Sequence, residues 1–567
     1  MRSHVNLRKG LGILGIVLVI LGAWFLRVQR LDEFKLTDET KWAFRSANFS
    51  LALHRGEYDE TFQRSHPGVT TMWAGWLGIK VAMPDYVQNA TTYVENTSYK
   101  TDLEQNDAEI MEILVPARYV VISISMLIVL ICFLYIEQLF GFPVAALGTI
   151  LLAFEPFFIG HTRILHVDGF LSVFMYLSLI AFLAFLKNGR IVDLLVSSIA
   201  AGLTWLTKTP GFYLAAGIIA VAAVSWIFRF AQNDSPGFWK SLWNSGWPLM
   251  LWVGVGITTF ILLWPAMWVR PAAIIRQLLL ESLDYAVGGH SSPVVFNGVI
   301  YRDGIVPRSI WQYYPVTYLW RVSPLAIVGL LFSMLAFFFK REPLKGRFNR
   351  VAFLGLIVFA LGFMLFMSAG SKRSDRYVLP VFPALSIAAG MGWAALVMYL
   401  WDSSRQRFAK AAAAVLFGLV IMGQMLLSAL HLPYFLTYFN PLMGGARKAP
   451  EVLQIGWGEG LDEAARYLNA VTGAEDLTVA SWYERVFSEF FVGRTINIED
   501  QATISAGEIQ SILDADFIVI YYHQVQRAMP ENLLKILEDE VPALRMWFNG
   551  LEYIRIYDTD TFSASGS

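Results

Sequence analysis

Hydrophobic residues in this chain fall in long runs separated by polar segments. Eleven runs are close to the roughly 20 residues that an α-helix needs to cross the hydrocarbon core of a bilayer. They cover residues 11–27, 118–138, 142–160, 168–186, 191–207, 210–228, 248–266, 316–338, 351–369, 378–400 and 410–430. The pattern predicts an α-helical polytopic membrane protein with about eleven transmembrane helices.

The charges that flank these runs predict their orientation. Arg2, Arg8 and Lys9 precede the first run. If the N-terminus is inside, the other basic loops also lie inside, at 187–190, 229–240, 340–350 and 405–410. This is the positive-inside pattern of a multi-pass protein of the cytoplasmic membrane. It places three long segments outside, at about 28–117, 267–315 and 431–567.

The same pattern divides the chain into two domains. Residues 1–430 form the transmembrane domain, in which 40–55 and 69–83 are expected to be helices lying in the outer interface. Residues 431–567 are expected to form an extracytoplasmic α/β domain. Its predicted strands are Thr478–Ser481 and Phe517–Tyr522, its predicted helices Glu463–Asn469 and Asn532–Leu537, and Asn549-Gly550 predicts a hairpin.

Composition supports a membrane protein and excludes several other classes. Of the 567 residues, 56% are hydrophobic and 16% are charged, and the net charge is −1. A soluble protein carries about 25% charged residues, so an ordinary cytosolic enzyme and a nucleic-acid binder are excluded. The single cysteine, Cys132, excludes an intramolecular disulfide framework and a Cys-rich metal site.

Unusual polar clusters occur at the outer ends of the predicted spans. Asp38-Glu39 follows the first span and opens the 40–55 helix. The pair has two interpretations: helix N-capping, or a carboxylate at the membrane surface acting as a general base. His66 precedes a Pro-Gly turn and has the simpler interpretation of a loop residue.

Three further clusters carry candidate chemistry. Ionisable groups near a membrane indicate function by default, although snorkelling toward headgroups is the alternative. Lys208, in a tight turn between two spans, is either part of an anion site or a lone interfacial lysine. The cations of Ser371–Tyr377 lie outside, against the positive-inside pattern, and either bind an anion or belong to a solvated loop. The clusters are Glu155, His161, Arg163, His166 and Asp168; Thr207–Gly211, with Lys208; and Ser371–Tyr377, with Lys372, Arg373, Arg376 and Tyr377.

By parity of the spans, all these clusters lie on one side of the membrane. Carboxylates beside several cations suggest a lipid-phosphate substrate, with its tail in the bilayer and its phosphate at the cations. A carboxylate would activate a hydroxyl nucleophile. Phosphate is already a good leaving group, so the cations need only stabilise its developing charge.

In this order, the motifs resemble the GT-C membrane glycosyltransferases, and most closely the prokaryotic members of the protein O-mannosyltransferase and lipid A aminoarabinose transferase group. The matching elements are Asp38-Glu39, Asp168 after the third span, Lys208-x-x-Gly211, Tyr377-x-x-Pro380, and the tail glycines around Trp457. The resemblance implies inverting transfer of a sugar from a polyprenyl phosphate to an acceptor hydroxyl on protein, lipid or glycan.

The resemblance also implies roles for individual residues. Asp38 would be the catalytic base, Glu39 would orient it or the acceptor, and Asp168 would support the site. Lys208, Lys372, Arg373 and Arg376 would hold the donor phosphate. A divalent metal is an open question: His66, His161, His166, His290, Glu155 or Glu281 could serve, but no metal-ligand spacing stands out. Arg163 and Tyr377 are candidate substrate contacts.

Two other functions remain open at this point. A transporter or lipid flippase would need ionisable residues near mid-bilayer and repeat symmetry, whereas the polar groups here cluster at the outer ends. A non-catalytic scaffold would use residues 431–567 as an interaction module, and a filled helical bundle would favour it.

Overall fold

The protein is described by a computed structural model over residues 2–95, 99–106, 108–230, 238–288, 292–402 and 407–562. Helices dominate the first 430 residues. The first half contains α1 (Arg2–Val28), α2 (Glu39–Arg55), α3 (Val69–Ala82), α4 (Tyr86–Asn89), α5 (Tyr99–Gln105), α6 (Ile110–Phe140), α7 (Phe142–Ala153), α8 (Pro156–Thr162), α9 (Val167–Asn188), α10 (Ile191–Thr207), α11 (Tyr213–Phe230) and α12 (Phe238–Leu262).

The second half of the helical region adds a small hairpin. Its helices are α13 (Ala266–Val269), α14 (Pro271–Val287), α15 (Tyr313–Arg321), α16 (Pro324–Phe338), α17 (Arg347–Ser368), α18 (Val381–Asp402) and α19 (Arg407–Ala429). Strands β1 (Val294–Phe296) and β2 (Val299–Tyr301) pair antiparallel between α14 and α15.

Each of the eleven predicted spans is helical, but not all are long straight spans. By length and composition, six helices among the described residues can cross a membrane, or up to eight if each bent pair counts as one span. The bent pairs are α7 with α8, at 66°, and α15 with α16, at 115°. The other three predicted spans correspond to apolar helices that are shorter over the residues covered by this test, namely Gly15–Val28, Ile191–Thr207 and Gly246–Leu262. The first and last of these are parts of α1 and α12, which have 27 and 25 residues. Six to eight spans therefore meet the test among the described residues, and each of the roughly eleven predicted spans is helical.

Small residues allow the helices of the bundle to approach closely. A Cβ atom added at Gly390 of α18 would lie 2.5 Å from the backbone nitrogen of Gly148 on α7. In a membrane there is no hydrophobic driving force between helices, so they associate through close packing at such small residues. Helix α9 is at the centre, with 89% of its most apolar window buried.

The segment after α1 is folded against the bundle. Both predicted helices form there, as α2 and α3, and α2 ends at Gly56, whose φ of 71° suits glycine. Trp42, Phe44 and Phe49 are buried, because α2 packs on both α3 and α6. Most of α2 is therefore enclosed by protein.

The C-terminal segment is an α/β domain. In chain order it contains α20 (Gly445–Lys448), α21 (Leu461–Asn469), β3 (Thr478–Ser481), α22 (Glu484–Phe487), β4 (Arg494–Asn497), α23 (Ala506–Leu513), β5 (Phe517–Tyr521), α24 (Tyr522–Arg527), α25 (Glu531–Leu537), β6 (Leu544–Phe548) and β7 (Leu551–Asp558). The strand order is β4-β3-β5-β7-β6. Strand β3 is parallel to β4 and β5, and β7 is antiparallel to β5 and β6.

The predicted strands, helices and hairpin of this domain are confirmed. Asn549 and Gly550 form the hairpin turn with φ angles of 50° and 88°, as a type I′ connection requires. The sequence did not predict β4, because Arg494–Asn497 is only four residues long and contains one apolar residue, Ile496. The domain contacts the bundle through Thr37, whose backbone N–H donates to the Trp457 carbonyl at 3.2 Å.

Candidate active site

Asp38 stands at the entrance to α2 and faces the rest of the site. It occupies the N-cap position, but its side chain makes no capping hydrogen bond. Its Oδ2 lies 3.1 Å from an Arg376 Nη atom and 3.9 Å from His166 Nε2. Lys41 lies 3.5 Å from Oδ1. The N-capping interpretation is therefore not supported by the side-chain geometry, and Asp38 is available for chemistry.

Asp168 lies at the first turn of α9, buried beside two cations. Its Oδ1 accepts a hydrogen bond from Lys208 Nζ at 2.7 Å. Its Oδ2 lies 3.4 Å from Arg376 Nε and 3.3 Å from His166 Nδ1. Arg376 and His166 therefore both stand between Asp38 and Asp168. The site brings together residues from four separate parts of the chain.

The charges around Asp38 determine its ionisation. Burial by itself would raise the pKa of Asp38, but the neighbouring positive charges, Arg376 first, outweigh it, and the pKa is held well below its usual range. Burial lowers the pKa of His166 despite the neighbouring Asp168. At neutral pH, Asp38 is therefore a carboxylate and His166 a neutral imidazole.

Glu39 is adjacent to Asp38 in sequence but points away from the site. It forms a buried ion pair with Arg118, whose Nε lies 2.8 Å from Oε1. Glu39 also accepts backbone N–H groups of Leu36 at 3.1 Å and Leu165 at 3.0 Å. It holds together the loop before α2, the turn before α9 and helix α6. Its contacts place it behind the site, as a support.

The cluster at 155–168 separates into two groups. His161 and His166 contact the Trp457 ring, with ring centroids 5.9 and 5.1 Å away. Arg163 donates to the Pro433 carbonyl at 2.7 Å, and Glu155 accepts the Ser323 backbone N–H at 3.1 Å. The histidines therefore lie at the site, whereas Arg163 and Glu155 hold neighbouring segments in place.

The four predicted phosphate-binding cations have different surroundings. Lys208 lies over the Tyr377 ring, 4.1 Å from its centroid, and pairs with Asp168. Burial, and then the neighbouring Arg376 and Lys208 charges, lower the pKa of Lys372 to about 7. Arg373 is 1% exposed and donates to the carbonyls of Gly370, Pro307, Ser368 and Ile310. Its guanidinium is engaged by backbone carbonyls of its own loop and of the loop before α15.

His66 lies on the far side of Lys208. Its Nδ1 is 3.1 Å from Thr209 Oγ1, so the loop before α3 packs on the turn after α10. Burial, together with the Lys208 and Lys372 charges, lowers the pKa of His66 to about 3. It is a neutral residue beside a cationic pair.

Two cavities are lined by residues of this site. A polar cavity of about 280 Å³ lies beside Asp38 and Arg376, and its other walls come from the C-terminal domain, including Trp457. An apolar cavity of about 420 Å³ lies beside Lys208, Lys372 and Tyr377, with walls from the turn before α11 and from α14 and α17. Asp168 lies between them, since it contacts both Arg376 and Lys208.

The described residues do not fit a metal ion. Among them, no group of three or more His, Cys, Asp or Glu side chains is arranged to hold one. The oxygens of Asp38 and Asp168 face Arg376 and Lys208 instead. His290 lies outside the described residues, and Glu281 accepts a hydrogen bond from Gln277.

Sequence reasoning missed two groups at this site. Arg308 lines the apolar cavity, but it stands alone in a polar loop, without a motif to mark it. Trp457 was noticed only within its glycine-rich segment. It lies 4.5 Å below the Arg376 guanidinium, and nothing in the local sequence indicates that the C-terminal domain closes over the site.

Sequence comparison bears on the class of this site. Residues 110–234 match the family model described as dolichyl-phosphate-mannose-protein mannosyltransferase. The match indicates a GT-C glycosyltransferase. It includes Asp168 and Lys208, which the structure places at the site, and it confirms the class predicted from the motifs. No curated protein matches the chain.

Solved structures of three GT-C glycosyltransferases are similar at low identity. ArnT from Cupriavidus metallidurans, bound to undecaprenyl phosphate, is 15% identical over 96% of this chain and 97% of its own, with a TM-score of 0.46. The archaeal oligosaccharyltransferase AglB from Archaeoglobus fulgidus, in complex with an inhibitory peptide and a dolichol-phosphate, is 12% identical over 90% and 69%, with a TM-score of 0.43. The S. cerevisiae Pmt1-Pmt2 complex, bound to its sugar donor, is 16% identical over 45% and 33%, with a TM-score of 0.35.

Proposed function

We propose that this glycosyltransferase moves a sugar, with inversion, from a polyprenyl-phosphate donor to an acceptor hydroxyl at the outer face of the cytoplasmic membrane. The observation that carries the proposal is that Asp168 joins Arg376, which lines a polar cavity, to Lys208, which lines an apolar cavity. A lipid-linked sugar has the same division into an apolar tail, a phosphate and a polar sugar.

The apolar cavity suits the lipid end of the donor. Phe212, Leu278 and Leu279 line it with hydrocarbon, and Lys208, Lys372 and Arg308 supply cations at its edge. A phosphodiester placed at that edge would have its alkyl chain among apolar side chains and its charge beside the cations. The sequence predicts that Arg373 contacts the phosphate. To do so, its guanidinium would have to give up hydrogen bonds to backbone carbonyls.

The polar cavity suits the reacting groups. Asp38 is ionised and can accept the proton of an acceptor hydroxyl while that oxygen attacks the anomeric carbon. The bond from the anomeric carbon to the phosphate oxygen breaks, and its electron pair leaves with the polyprenyl phosphate. Lys208 and Arg376 are positioned to stabilise the charge that develops on this leaving group. Attack from the side opposite the phosphate inverts the anomeric centre.

The basic loops support the proposed orientation, because the parity of the predicted spans puts them on the opposite side of the membrane from Asp38. The N-terminus would be inside and the C-terminal domain outside. The acceptor hydroxyl belongs to a protein, a lipid or a glycan. The family match favours this function over a transporter or a scaffold.

The test uses the full-length protein in lipid nanodiscs with a panel of polyprenyl-phosphate hexoses and pentoses. Mass spectrometry is expected to show consumption of one donor and release of polyprenyl phosphate. Asp38→Asn is expected to lower this rate about 10²–10⁴-fold, the usual worth of a general base. Asp32→Asn, a change at an exposed aspartate six residues earlier, is the matched control. Full activity of Asp38→Asn would contradict the assignment of the base.

A further inference from the structure

The C-terminal domain presents the ends of its parallel strands to the polar cavity. Tyr483 follows β3, Asp500 follows β4, and His523 follows β5, and all three line the same cavity as Asp38. The strand order β4-β3-β5 places the first strand of this parallel set between the second and third. In open α/β sheets of this order, ligands bind outside the carboxyl ends of the strands, where the chain changes direction.

The backbone near this crevice is held in an uncommon conformation. Tyr483 has a φ of 52°, a left-handed value that is rare for an aromatic residue. Its ring is 5.8 Å from that of His523. Such local strain, when observed, is typical of ligand sites. Here the residue with this conformation, Tyr483, is one of those that line the cavity.

Arg527 provides the clearest unused polar group. It ends α24, is 7% exposed and lines the polar cavity. Among the described residues, its Nε has no hydrogen-bond partner, and its Nη1 is 3.6 Å from Asp500, beyond hydrogen-bond distance. A buried guanidinium N–H without a partner is costly. A ligand oxygen in the cavity would satisfy it.

The charges of the cavity favour a neutral ligand rich in hydroxyl groups. Of the nine Asp, Glu, Lys and Arg residues that line it, six form acid–cation pairs: Asp38 with Arg376, Asp375 with Arg321, and Asp500 with Arg527. A sugar hydroxyl donates and accepts at once, so it can insert between the members of such a pair. The rings of Trp457 and Tyr483 offer flat apolar surfaces for the C–H face of a pyranose.

The geometry is less suitable for an extended peptide. Peptides commonly bind by adding a strand to an exposed sheet edge. The edges of this sheet are β4 and β6, whereas the cavity lies at the strand ends. Its volume of about 280 Å³ is close to the lower limit of small-ligand sites, about 300 Å³.

We propose that Tyr483, His523 and Arg527 of the C-terminal domain form a carbohydrate-binding subsite facing Asp38. This deepens the proposed function and rests on it. The sugar bound there is either the one carried by the donor or a sugar of the acceptor, and both have the same recognition chemistry.

Saturation-transfer NMR of the full-length protein in nanodiscs tests the subsite, with methyl glycosides of mannose, glucose, galactose and arabinose as probes. We expect at least one glycoside to bind, and we expect Arg527→Gln and Tyr483→Phe each to weaken binding about fivefold or more, as for loss of one hydrogen bond. Arg494→Gln and Tyr467→Phe, at exposed positions elsewhere in the domain, are matched controls. Adding the consumed polyprenyl-phosphate sugar distinguishes the sources: displacement of the glycoside identifies the donor sugar, and retention identifies the acceptor.

A second readout requires no substitution. A methyl glycoside with a photoreactive diazirine is expected to label peptides that contain Tyr483 or residues 522–527. The subsite is overturned if the wild-type protein consumes donor, but no glycoside labels these peptides and no glycoside shows binding that depends on Arg527 and Tyr483. It is also overturned if a Ser/Thr peptide, and no glycoside, binds in a manner that depends on both residues. Failure of the proposed function has a separate signature, since wild-type protein would then consume no donor.

Discussion

The ammonium of Lys208 lies 2.7 Å from Oδ1 of Asp168, joining the turn after α10 to the first turn of α9. Both side chains are buried, with 6% and 1% of their surfaces exposed. The pair lies between the apolar and polar cavities, and Arg376 extends it to Asp38. This chain of alternating charges is the structural centre of the proposed reaction.

Breaking this pair should cost stability as well as activity. Asp168→Asn leaves Lys208 buried without its anion, and we expect the free energy of unfolding to fall by about 3–5 kcal/mol. Lys208→Met combined with Asp168→Leu should recover much of this stability without recovering donor consumption. Thermal unfolding followed by tryptophan fluorescence, alongside the mass-spectrometric assay, measures both. Wild-type activity of the double variant would refute the role of the pair.

Donor binding should depend on pH through Lys372. With its pKa lowered to about 7, Lys372 is cationic at pH 6 and mostly neutral at pH 8, whereas a phosphodiester stays anionic at both. The dissociation constant for the donor should therefore rise about tenfold between pH 6 and pH 8.

Lys372→Arg provides the control for this titration. An arginine remains charged over the whole range, so the variant should bind the donor with little pH dependence. Binding is measured by microscale thermophoresis with the consumed polyprenyl-phosphate sugar. An unchanged pH profile in Lys372→Arg would show that another group titrates.

Glu39 should matter for folding more than for chemistry. Glu39→Gln keeps the shape of the side chain but leaves the buried Arg118 guanidinium without its anion, and we expect a loss of about 3–5 kcal/mol in stability. The turnover number per folded molecule should be largely retained. Yield after size-exclusion chromatography and the unfolding midpoint are the measurements. A variant of normal stability that has lost turnover would instead give Glu39 a chemical role.

Arg373 and Arg376 should respond differently to the same conservative change. Arg376→Lys loses the fork that reaches both Asp38 and Asp168, so we expect the turnover number to fall about 10²-fold or more. Arg373→Lys loses hydrogen bonds to backbone carbonyls and should lower the unfolding midpoint while leaving the Michaelis constant for the donor unchanged. A raised Michaelis constant for the donor in Arg373→Lys would instead support the phosphate-binding role that the motif predicts for Arg373.

The sequence by itself determined the class of this protein and most of its helices. Runs of about 20 apolar residues leave no other stable arrangement in lipid than helices, and each run is helical. The short strands at Thr478–Ser481 and Phe517–Tyr521 and the hairpin at Asn549-Gly550 were also predictable, because their signals are local. Asp38, Asp168 and Lys208 were found because ionisable residues are rare at the ends of apolar spans.

Only the tertiary structure decided what each of these charges contacts. Asp38 and Glu39 are neighbours in sequence, yet one faces Arg376 and the other is paired with Arg118. Arg373 and Arg376 share a motif, yet one is engaged by carbonyls and the other by carboxylates. Trp457 reaches the site from the C-terminal domain. A local pattern can report that a charge is out of place, but its partner lies far away along the chain, and the free energy of a buried charge is set by that partner.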